Sequence, residues 1–78
     1  MGNNFRPLPT KCVEKLLTHL GFKYNRTVGS HDQWTKNGFR TIPVWGAKKE
    51  IPAQHIKSNC KILGWEIARV YEWADKHC

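Results

Sequence analysis

The run WTKNGFRTIPVW, Trp34 to Trp45, constrains the fold more than any other part of this chain. Asn37-Gly38 between two apolar-alternating segments is a strong hairpin signal. Loop length then decides which face every side chain takes, because a one-residue slip turns them all over. A two-residue Asn-Gly loop pairs Trp34 with Thr41 and puts Trp34 on the face opposite Ile42 and Val44. A three-residue loop, Asn37 to Phe39 with Gly38 left-handed, pairs Trp34 with Ile42 and Asp32 with Val44. The second register gathers one apolar face and is the expected one. It turns His31, Gln33 and Thr35 away from the core and sets Trp45 opposite His31. Pro43 has no N–H to donate, so its strand is expected at an edge or at an irregularity.

The remaining elements follow from periodicity. Val13, Leu16, Leu17 and Leu20 recur at helical spacing after Pro9-Thr10, and Gly21 follows as a stop. Residues 1–8 carry no period and read as a lead-in. FKYNRTV, residues 22–28, alternates Phe22 and Tyr24 with Lys23 and Asn25, and a Gly29-Ser30 turn leads into HDQWTK. GAKKEIP, residues 46–52, reads as a basic loop. A second helix is expected from about Pro52 to Leu63, with Ile56, Cys60 and Leu63 on one face and Gly64 as a break. A third is expected over 65–77, with Ile67, Val70, Tyr71 and Ala74 as added core cover. The order α-β-β-β-α plus one further helix predicts a two-layer α+β domain. Its helices lie on one sheet face, and the other face, carrying His31, is open to solvent.

Seventy-eight residues predict one domain over 1–78, with a core of about 9–64, a helical extension of about 65–77 and little interior to spare. Thirteen Lys/Arg against six Asp/Glu give a net charge of +7, spread along the chain rather than gathered in a tail. That predicts a folded basic surface for a polyanion: nucleic acid, an acidic protein or an anionic membrane. No apolar run has membrane length, and no signal peptide is apparent. The three cysteines, Cys12, Cys60 and Cys78, are odd in number and far apart, which argues against a disulfide framework or a zinc site. Cys12 and Cys60 read as small apolar fillers, and the expected setting is a reducing cytoplasm.

His31 is the sharpest candidate for chemistry, although any surface histidine fits the same position. No nucleophile triad is evident; Ser30 reads as a turn residue. His19 and His55 sit at helical positions, His77 lies near the end, and no pair has metal-ligand spacing. A lone imidazole moves protons near neutral pH, and RNA carries its own nucleophile. A base can take the 2′-hydroxyl proton, the 2′-oxygen attacks the adjacent phosphate, and cations stabilise the transition state without a metal or cofactor. Lys48, Lys49 and Arg40 are the candidate phosphate contacts, set against a reading as solvated loop charge. Trp45 is either a core cap or a stacking platform for a base, with Gln33 beside it on the outer face.

These residues resemble the HicA toxin family, the YcfA-like mRNA interferases. The resemblance rests on LLTHLGFKYNRTVGSHDQW, RTIPVWGAKKEIP and a helix ending ILG, over about residues 9–64. Its marks are Gly21-Phe22, Gly29-Ser30-His31 with Trp34, and Ile42-Pro43 before Lys48-Lys49. It implies a double-stranded-RNA-binding-domain-like fold. It also implies that His31 is the catalytic histidine of a metal-independent endoribonuclease acting on mRNA, with a HicB-type antitoxin as partner. Two departures stand out: Trp45 holds about the place where many relatives have histidine, and Ala53 replaces a common glycine. Two rival readings fit the same residues. One is a non-catalytic RNA-binding module of this fold, separated by cleavage; the other is a basic protein-docking domain, separated by RNA affinity.

Overall fold

The computed structural model describes residues 5–78; residues 1–4 of the expected lead-in lie outside the described residues. The elements are β1 (Leu8–Pro9), α1 (Thr10–His19), β2 (Lys23–Val28), β3 (His31–Thr35), β4 (Ile42–Val44), β5 (Glu50–Ile51), α2 (Ala53–Leu63) and α3 (Ile67–His77). The fold is the expected α+β arrangement. β2, β3 and β4 form an antiparallel sheet in that order, and β1 and β5 pair separately.

The hairpin register is the one that unites the apolar residues: Trp34 pairs with Ile42 and Asp32 with Val44. Gly38 takes φ +86°, and the Phe39 N–H donates to Lys36 O at 3.1 Å, closing the three-residue loop. β4 is an edge strand shorter than the expected 39–45, and Pro43 is accommodated there. Ile42 and Val44 lie in the core with Phe22, Trp34, Leu16, Leu17 and Ile56. Val70, Tyr71 and Ala74 of α3 are buried in the same cluster, so the third helix closes the core as expected. Every residue of β2 is exposed, which leaves the outer sheet face open.

Three local features depart from the sequence reading. The lead-in is not wholly irregular. Leu8 is buried and pairs with Ile51, and Pro9 pairs with Glu50, so the expected basic loop contains a strand. Two-residue strands have no period to detect, and the first residue of α1 joins the same two segments, its N–H donating to Lys49 O at 2.9 Å.

β2 does not alternate cleanly. Tyr24 pairs with Trp34, yet Arg26 pairs with Gln33, so Asn25 is an extra residue and the strand bulges there. With that bulge between them, Tyr24 and Thr27 share the helix-facing side, while Arg26 and Val28 face outward.

The third departure is a correction to the cysteine reading. Cys12, in the first turn of α1, is disulfide-bonded to Cys78, with 6.0 Å between the Cα atoms. Cys12 is therefore a cross-link and not a free apolar filler, and the cysteine pattern ceases to argue for a reducing compartment. Among the described residues only Cys60 is a free cysteine; it is buried, and burial pushes its thiol up from its ordinary pKa. Antiparallel packing of α3 on α1 returns the chain end to the start of the first helix, a proximity that spacing along the chain cannot reveal.

Candidate active site

The β2–β3 turn is a two-residue loop, Gly29-Ser30, between the paired residues Val28 and His31. Its first position takes φ +61°, which glycine adopts without a Cβ clash. The turn makes His31 the first residue of the central strand. Trp34, 9% exposed, points to the helices, so His31 and Gln33 stand on the open face.

Trp45 follows β4 directly and continues the register opposite His31. Their ring centres are 5.2 Å apart and tilted by 47°. The chain then doubles back: the Lys48 N–H donates to Trp45 O at 3.1 Å, which brings Lys48 Nζ to 4.5 Å from the indole centre. Such a cation over an indole is an attractive contact. The bend needs glycine at position 46, because a Cβ there would lie 1.9 Å from Asp32 Oδ2. Pro52 starts α2, and its third residue, His55, packs against Trp45 with ring centres 4.0 Å apart. One indole at the sheet edge thus gathers two imidazoles and an ammonium.

Both imidazoles are half-buried. Among the described residues, neither ring of His31 or His55 makes a hydrogen bond within the protein. Asp32 does not orient His31. Its side chain lies on the helix side, where the Thr27 hydroxyl donates to Oδ1 at 2.6 Å and Tyr24 Oη meets Thr27 Oγ1 at 2.8 Å. Glu14 on α1 feels that carboxylate. Burial first, and Asp32 second, hold the Glu14 carboxyl above its ordinary pKa.

Of the expected site residues, His31, Trp45 and Lys48 come together. Gln33 lies two positions along β3, with Nε2 reaching toward His31 O at 3.4 Å. Lys49 is exposed beside Lys48, and α1 ties this loop down: the Thr10 N–H donates to Lys49 O at 2.9 Å and its hydroxyl to Lys48 O. Arg40 is not brought to His31. It lies at the far end of the β3–β4 hairpin, roughly 17 Å away at about 3.3 Å per residue.

Two residues were missed by sequence reasoning. Arg26 flanks Gln33 on the outer face because of the bulge, where unbroken alternation puts it with Tyr24. His55 had no local signal beyond its place in the first turn of a helix. The other two histidines gather elsewhere, His19 and His77 on Trp73, where His77 Nδ1 bonds to Trp73 O at 3.0 Å.

Among the described residues no helix is long and apolar enough to cross a membrane. No individually curated protein and no solved structure matches the chain. A family model described as the HicA toxin of bacterial toxin-antitoxin matches residues 10–69, from the first residue of α1 into α3. The chain therefore belongs to the HicA toxin family of bacterial toxin–antitoxin systems.

Proposed function

We propose that the protein is an mRNA interferase, a toxin that cleaves single-stranded RNA in the cytoplasm and is held in check by a HicB-type antitoxin. The observation that carries this is the cluster of His31, Trp45 and Lys48 on an open sheet face of a basic HicA-family protein. His31 takes the proton from the 2′-hydroxyl, and the 2′-oxygen attacks the adjacent phosphate. Lys48 and Lys49 neutralise the charge that builds on the phosphoryl oxygens. Trp45 holds the imidazole in place and borders the base beside the scissile phosphate, as aromatics do for single-stranded RNA. Gln33 and Arg26 extend the track along the sheet, and Arg40 meets a phosphate farther along the strand. Gly29 and Ser30 set the strand entry that positions His31. The antitoxin covers the same outer face, with Trp45 as the aromatic anchor of the contact.

The test is cleavage of a long unstructured RNA with chelator present, comparing the wild type with His31→Ala. The variant should fold normally, retain RNA affinity and lose about 10²–10⁴-fold in rate. Unchanged cleavage by a folded His31→Ala protein removes the catalytic assignment. Binding without cleavage by the wild type leaves an RNA-binding module.

A further inference from the structure

Breaking an RNA linkage by 2′-oxygen attack moves two protons. One leaves the 2′-hydroxyl as the O2′–P bond forms. The other must reach O5′ as the P–O5′ bond breaks, because a departing alkoxide is a poor leaving group in water. The products are a 2′,3′-cyclic phosphate and a 5′-hydroxyl, and atoms and charge balance only if something supplies that second proton. A positioned acid within about 2.6–3.2 Å of the leaving oxygen does so most effectively.

We infer that His55 is that acid, with His31 as the base. This rests on the interferase reading above and divides the proton work of that site between two side chains.

Three observations carry it. His31 and His55 both pack on Trp45, at 5.2 and 4.0 Å between ring centres. The imidazoles are therefore no farther apart than those two distances laid end to end, a span a single phosphodiester can bridge. Both rings are half-buried and fixed by aromatic contact. Among the described residues neither nitrogen pair is engaged by the protein, so both rings are free to bond to a ligand. Finally, Lys48 lies over the same indole and brings its cation to the site. Imidazole is the side chain that both gives and takes protons near neutral pH, whereas an ammonium holds its proton there. Lys48 therefore suits charge stabilisation and His55 suits donation. Their origins differ as well. His31 is held by the sheet and His55 by the first turn of α2, so the two can approach a phosphate from different sides.

The test uses an RNA oligonucleotide centred on a linkage mapped first on a longer RNA, in two forms. One has the natural 5′-oxygen, and the other has a bridging 5′-sulfur, whose thiolate leaves without protonation. Wild type, His31→Ala, His55→Ala and His55→Gln are compared, with thermal melts of each. His55→Ala and His55→Gln should lose about 10²–10⁴-fold on the oxygen substrate. On the sulfur substrate they should stay within a few-fold of wild type. His31→Ala should lose activity on both. Equal losses on both substrates for folded His55 variants overturn the assignment and leave His55 a positioning residue for Trp45. Wild-type rates from His55→Gln on the oxygen substrate overturn it outright. Wild-type protein that cleaves neither substrate nor the parent RNA overturns the functional reading and this assignment with it.

Discussion

Opening the Cys12–Cys78 bond should lower the stability of the protein by about 2–4 kcal/mol, the usual range for such cross-links, without dismantling the sheet. The bond joins residues 66 apart in sequence, so it constrains nearly the whole unfolded chain. Chain-entropy arithmetic for a loop of that length gives about 4 kcal/mol at 25 °C. Residual structure in the unfolded chain reduces the observed value below that ceiling.

The folded state has little reason to fall apart. Val70, Tyr71 and Ala74 keep α3 in the core, Tyr71 Oη donates to Arg6 O, and Lys15 Nζ donates to His77 O at 2.8 Å. The Arg6–Asp75 ion pair, 2.9 Å but exposed, adds little. A domain of this size shifts by about 4–8 °C per kcal/mol, so the melting midpoint should drop by roughly 8–32 °C.

Thermal melts with and without a phosphine reductant measure this, with alkylation in denaturant and mass analysis to count thiols. Cys78→Ser should melt at the reduced wild-type temperature and ignore the reductant. Three labels on unreduced protein, or an unchanged midpoint once the bond is verifiably open, would refute the reasoning.

Other outcomes follow from single sites. Ile42, fully buried at the centre of the core, should cost about 2–5 kcal/mol on truncation to alanine, read from urea unfolding. Gly46→Ala must push the Asp32 carboxylate off its place beside Thr27; a loss of about 1–3 kcal/mol and altered tryptophan fluorescence are expected, and a neutral result contradicts the close approach. Because the Glu14 carboxyl is held above its ordinary range, the unfolded chain releases this proton first as pH rises. Glu14 therefore withdraws stability between the ordinary glutamate range and its raised folded value, and Glu14→Gln should flatten that decline and raise the melting point at pH 7. RNA affinity should fall with salt at a log–log slope of about −2 for three phosphate contacts on a single strand, and a flat response removes the electrostatic premise.

What the sequence revealed and what it hid divide along physical lines. The β3–β4 register was legible because only one loop length lets Trp34, Ile42 and Val44 share a face, and burial enforces that choice. The outward position of His31 followed from Trp34 alone. The helices were legible from their apolar spacing, with ends displaced by one or two residues at most. Three of the hidden features depend on chain segments meeting in space. The β1–β5 pair, the Cys12–Cys78 bond and the contact of His55 with Trp45 join segments that carry no mark of each other. Arg26 was hidden for a different reason, since alternation was the correct rule and Asn25 interrupts it.

That interruption bears on how this chain can change length. Deleting a residue from a strand is ordinarily among the harshest changes a sheet can suffer, because everything beyond it turns over. At Asn25 the effect is the reverse. Its removal joins the Tyr24–Trp34 pair to the Arg26–Gln33 pair in one unbroken ladder and leaves Tyr24 facing the helices and Arg26 facing outward. Loss of a neighbour such as Thr27 would slip the ladder instead. Among relatives of this chain, one-residue gaps in the second strand are therefore expected to collect at this one position. An alignment that spreads them along the strand would be misplacing the faces of the sheet.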